Sequence, residues 1–112
     1  MDRPTASADA LDHYERTAAE LAQTVGATPG RMMGMPTLYL GGKAFAGLFG
    51  DAMVFKLGGE EHTAALALQG AGLFDPSGMG RPMKAWVQVP LEQASDWPVL
   101  AASAARGIGD ER

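Results

Sequence analysis

Cysteine is absent from the 112-residue chain, which removes disulfides, thiolate nucleophiles and cysteine-ligated zinc from the outset. Long hydrophobic runs are absent too. No stretch approaches the roughly 18–20 apolar residues that a membrane span requires, and MDRPTASADA at the N-terminus lacks the apolar centre of a signal peptide. The expectation is a soluble, cytoplasmic protein. Histidine is scarce, with only His13 and His62, and neither stands in a metal-ligand spacing or an HExxH pattern. Serines 7, 77, 95 and 103 lack a GxSxG elbow, and GGKAF lacks the GxxxxGK[ST] spacing of a phosphate loop. No catalytic residue, metal site or cofactor is therefore expected, and a non-enzymatic protein is. Charge of one sign is not in large excess. The net charge of −4 argues against holding nucleic acid by its phosphates, so DNA binding ranks only as a weak, further alternative.

What is present is a patterned middle. Arg31 to Leu57 reads RMMGMPTLYLGGKAFAGLFGDAMVFKL, in which Gly41-Gly42 and Gly50-Asp51 separate apolar runs. Paired turn residues that accept positive φ are the signature of two-residue hairpin loops. Two such loops predict a three-stranded meander over residues 37–57, with Leu40 opposite Lys43, Leu38 opposite Phe45, Phe49 opposite Ala52, and Leu48 opposite Met53. Strict alternation then puts Thr37, Tyr39, Ala44, Ala46, Leu48, Met53, Phe55 and Leu57 on a helix-covered face. The other face would carry Leu38, Leu40, Lys43, Phe45, Gly47, Phe49, Val54 and Lys56. It is still largely apolar, and Leu38, Leu40, Phe45, Phe49 and Val54 are the candidate interface residues for a protein partner or a second copy of the chain. A segment of the same chain folding across this face is the competing expectation.

The flanks read as helices. Leu11, Tyr14, Ala18, Leu21 and Val25 recur at spacings of three and four, the apolar stripe of a first helix, which Gly26 and Thr28-Pro29-Gly30 should end. Glu60-Glu61 opens a second helix, EEHTAALALQ, closed by Gly70. Leu73-Phe74 suggests a short strand. Met83 to Val89 alternates as a further strand ended by Pro90. WPVLAASAARG then forms a third helix, with a stripe of Trp97, Leu100, Ala101 and Ala104 and a stop at Gly107. The expected architecture is a single two-layer α+β domain over 1–112, ordered over about 8–107. It combines an antiparallel sheet with three helices in the order α-β-β-β-α-β(-β)-α.

Two cations beside flexible backbone, Arg81 and Lys84 in Gly78–Lys84, make a plausible anion-binding turn, with Arg31 as a third candidate ligand-binding residue. The competing expectation is that the turn is tied down by the fold itself. Six methionines (32, 33, 35, 53, 79 and 83) fall in the middle of the chain, where thioethers fill core gaps or line adaptable surfaces.

These landmarks together resemble the TfoX/Sxy N-terminal domain family. RMMGMPTLYLGGKAFAGLFGDAMVFKL is similar to the family's Arg-x-Met-Phe-Gly start, strand, Gly-Lys turn and Phe-Ala strand. GMGRPMKAWVQVP is similar to its Gly-x-x-Met-x-x-Trp/Tyr-x-x-x-Pro segment. The resemblance runs from about Leu11 to Arg106, and Met33 departs from it where the family usually has an aromatic residue. It implies an α+β fold and a bacterial regulator linked to competence or transcription, and it carries over no catalytic residue. The functional expectation is a non-enzymatic regulatory module acting through protein contacts, with a small-molecule or anion-binding protein as the alternative.

Overall fold

The computed structural model describes residues 5–110 (5–109 for side chains). Helix α1 (Ala8–Val25) opens on Ser7, whose hydroxyl oxygen accepts the Ala10 N–H, and closes on Gly26 in the left-handed region. Strands β1 (Thr28–Met32), β2 (Met35–Leu40), β3 (Lys43–Phe49) and β4 (Ala52–Lys56) follow. Helix α2 (Gly59–Leu66), strands β5 (Gly72–Phe74) and β6 (Met83–Pro90), a 3₁₀ turn (Leu91–Asp96) and helix α3 (Trp97–Asp110) complete the chain. The six strands form one antiparallel sheet in the order β1-β2-β3-β4-β6-β5. The α+β class and its three helices are as the sequence predicts, with one extra strand at the front.

That extra strand is β1. Thr28-Pro29-Gly30 reads as a break, yet it pairs with β2 and forms an edge of the sheet. An edge is where proline is tolerated, because its missing N–H can face solvent. Gly30 has its own reason: a Cβ there would come within 2.9 Å of the Tyr39 ring. Tyr39 lies across it and donates its hydroxyl to the Arg31 carbonyl at 2.8 Å. Arg31 shares the parity of Pro29 on the edge strand, so its carbonyl faces away from β2 and the tyrosine supplies its donor.

The two glycine turns behave as predicted, and so do the pairs next to them: Leu40 with Lys43, Phe49 with Ala52, and Leu48 with Met53. Between the turns the pattern departs from simple alternation. Tyr39 pairs with Ala44 but Leu38 pairs with Ala46, so Phe45 is the extra residue of a bulge. The bulge changes the parity of β3 and corrects the predicted faces. Leu38 and Phe45 join Ala46, Leu48, Met53 and Phe55 in the core beneath the helices, with Leu40 packed partly buried against them. Val87 and Val89 of β6 complete this surface.

The helices meet it with small residues. The buried stripe of α1 is Ala10, Tyr14, Thr17 and Leu21. Leu11 and Val25, expected inside, are each 40% exposed. Helix α1 packs against α3. In α2 the buried residue is Ala65, with Leu66, and Leu68 just beyond the helix, only partly covered. Helix α3 buries Trp97, Ala101, Ala104, Ala105 and Ile108, and it passes through Gly107 instead of stopping there.

The second sheet face is covered from within the chain. Met35, Val54, Phe74 and Trp86 are buried there, flanked by Met32, Ala44, Phe49 and Met83. Phe74 reaches this face from β5 through an irregularity at Leu73/Phe74. Its ring stands edge-on to Phe49 at 5.1 Å. The methyl end of Met35 lies over Gly47, where a Cβ would meet it at 2.6 Å. If Phe74 is the plug of this face, Phe74→Ala should cost about 3 kcal/mol or more in urea unfolding. A loss below about 0.5 kcal/mol, as at exposed positions, would show that the face is not closed this way.

Candidate functional site

The structure separates the residues that the sequence singled out. Leu38 and Phe45 are buried under the helices, and Leu40 is packed against the same cluster. Val54 and Phe49 belong to the opposite cluster. These five do not share a face, and the partner surface predicted from them is not present as one bare patch. The bulge is the cause, since it moves the first three to the other side of the sheet.

The Gly78–Lys84 turn contains an anion, but the anion is the chain's own. Asp75 Oδ1 accepts the Ser77 hydroxyl at 2.9 Å and the Gly78 N–H at 3.1 Å, and Oδ2 accepts the Gly80 N–H at 2.9 Å. The Ser77 hydroxyl chiefly holds the Asp75 carboxyl below its usual range, joined by the Gly80, Gly78 and Arg81 N–H groups. The Gly78 and Gly80 N–H groups beside the two candidate cations, Arg81 and Lys84, are thus engaged internally. The Lys84 carbonyl is engaged as well, at 2.8 Å from His62 Nε2. A carbonyl only accepts, so Nε2 carries the hydrogen, and the contact ties α2 to β6. His13 lies 3.8 Å from Asp9 and edge-on to Trp97. Among the described residues, no group of three or more His, Asp or Glu side chains could hold a metal ion. No helix there is long and apolar enough to cross a membrane.

Arg31 is placed differently. It sits on β1 at the mouth of an open cleft of about 530 Å³, within the usual range for small-ligand sites. One wall comes from Thr5, Ala6 and Leu11 at the start of α1. Another comes from Gly34, Met35 and Pro36 of the first hairpin, and the third from Leu48, Phe49 and Gly50. The N-terminal wall is anchored, because the Ser7 N–H donates to Asp51 Oδ1 at 2.7 Å. Arg31 Nη1 donates to the Gly34 carbonyl at 2.7 Å. This spans the hairpin and fixes the guanidinium, while its other N–H groups remain for a ligand. Among the described residues no carboxylate pairs with it.

Beside the cleft is a smaller depression of about 190 Å³ lined by Met33, Met35, Phe49 and Pro76. Met35 and Phe49 are walls of both. Met33 is 56% exposed and is the one non-glycine at positive φ (52°) among the described residues. With Gly34 at φ 81° it forms the two-residue hairpin loop that normally prefers Asn-Gly. Met79, 77% exposed, is carried by the loop that Asp75 organises. Sequence reasoning named Arg31 as a cation but missed the cleft, whose walls come from three separated segments. The only local signal was Met-Gly where a turn residue belongs.

Comparison with family models, curated proteins and solved structures finds no match to this chain.

Two measurements test this geometry. Holding an L-residue such as Met33 in the left-handed region costs about 1 kcal/mol, so Met33→Asn should raise stability by about 0.5–1 kcal/mol in chemical denaturation. A loss would show that the Met33 side chain contributes more packing than its exposure suggests. The second concerns Tyr14, whose hydroxyl is pushed up to about 12 from 10.0 by burial, opposed by the nearby Arg31 charge and reinforced by Glu15. The folded-state value is the raised one, so this group's contribution is complete below pH 10 and is lost as pH rises through about 12. Tyr14→Phe should flatten that alkaline decline, and an unchanged slope in the variant would remove the assignment.

Proposed function

We propose that this chain is a non-enzymatic binding and regulatory module whose ligand contact is centred on the cleft at Arg31. The observation that carries this reading is a fixed, exposed guanidinium without a carboxylate partner among the described residues, set in an open cleft of mixed polar and apolar lining. A charge-assisted hydrogen bond to a ligand anion, with apolar side chains in contact alongside it, gives both orientation and affinity. Of the three candidate ligand-binding residues named from sequence, Arg31, Arg81 and Lys84, this reading takes Arg31 as the centre. Regulation linked to competence or transcription in a bacterium is the role that the resemblance to TfoX/Sxy N-terminal domains suggests for such a module.

A second reading keeps the protein contacts. It is favoured by Met33 and Met79, exposed methionines of the kind that line adaptable protein-binding surfaces. On that reading the contact surface is the corner of the sheet near the first hairpin, with another protein or a second copy of the chain as partner.

The test of the main reading is a thermal-shift and calorimetric screen of the full chain against small carboxylates, phosphates and nucleotides. At least one anion should bind, and Arg31→Gln should weaken it by tenfold or more, the scale of a lost charge-assisted hydrogen bond. A flat response of the wild-type chain across the whole panel would overturn it.

A further inference from the structure

The cleft and the adjoining depression restrict the ligand further. Among the described residues that line either one, Arg31 is the sole charged side chain. A head group with a single negative charge is therefore matched, whereas a dianion would leave one charge uncompensated as it leaves water. The planar guanidinium fork suits a carboxylate in particular.

Beyond the head, the smaller depression is mainly apolar. Met35 and Phe49 are the wall shared by the two depressions, so a chain leaving Arg31 crosses them and arrives between Met33 and Pro76. Thioether and phenyl surfaces accept methylenes without demanding a fixed shape. Leu11, Leu48 and Pro36 close the near end. Met33 is held outward at this far end by a backbone conformation unfavourable to it, as expected where a side chain is kept for contact and not for the turn.

We infer that the cleft binds a small monocarboxylate with an extended apolar arm, its head on Arg31 and its arm running across Met35 and Phe49 towards Met33 and Pro76. This rests on the reading of the Arg31 cleft given above and adds the class of ligand.

The test is calorimetry on the full chain with the straight-chain series from acetate to decanoate, alongside inorganic phosphate and decanol. Each added methylene should tighten binding about fourfold, the scale of one buried methylene, until the far depression is filled. Decanol should bind at least tenfold more weakly than decanoate. Arg31→Gln should abolish the preference for decanoate over decanol while leaving the chain-length trend. Met33→Asn, which improves the turn, should reduce the gain from the longest chains while leaving the short ones unchanged.

If acetate and phosphate bind as tightly as decanoate, the cleft is an anion site and the amphipathic class is wrong. If decanol matches decanoate and Arg31→Gln changes nothing, the binding is generic to greasy solutes and the inference falls. If no member of the series binds but another anion does, this class fails while the Arg31 reading survives. If no anion of any kind binds, both fall together.

Discussion

Opposite Leu38 the third strand carries two residues, Phe45 and Ala46, where regular pairing allows one. Most of the architecture depends on that insertion. It lets Phe45 and Ala46 both enter the main core. It brings Leu38 and Leu40 to the same side as Leu48, Met53 and Phe55, so the helices find a continuous apolar surface. The opposite side is left with Ala44, Gly47, Phe49 and Val54, a shallower strip with a gap at its centre. Met35 lies over that gap, and Phe74 and Trp86 close the rest. One surplus residue thus separates a deep core from a thin one and leaves the end of the sheet, where Met35 and Phe49 emerge, as the place where a cleft can form.

The loop that follows β5 shows the same economy in polar groups. Glycines at 78 and 80 take positive φ and turn their N–H groups towards one point, which is the geometry that captures anions. Asp75 occupies it. A carboxylate of the chain orders the loop that leads into β6, and the loop places Pro76 at the margin of the methionine corner. The competence of a backbone turn to hold an anion is used here for folding, whereas Arg31, which no carboxylate pairs with among the described residues, lies on β1.

Much of the fold was legible because its signals are local. Gly41-Gly42 and Gly50-Asp51 specify tight turns, and the residues flanking each turn pair as their geometry dictates. Gly26 ends α1 through a conformation that few other residues adopt. The signals that failed are long-range or ambiguous. No glycine or proline marks the bulge at Phe45, so alternation counted from either turn is right only as far as that point. Pro29 and Gly30 look like a break in isolation. They become a strand because an edge position needs no outward N–H and because Tyr39 requires the space above Gly30. Gly107 stays helical since Ile108, one residue further, is buried and draws the last turn inward. Arg31 was recognisable as a candidate ligand-binding cation. The cleft was not, because its walls come from α1, the first hairpin and the end of β3.

The two borders of the sheet were described for what they hold, and their combined effect concerns what they refuse. At one border Pro29 offers no donor and the Arg31 carbonyl is already occupied by a phenol. At the other, the strand is three residues long and irregular. Neither presents the long, flat row of unmet amides that a foreign strand needs in order to zip on. Both borders therefore disfavour the addition of a further strand.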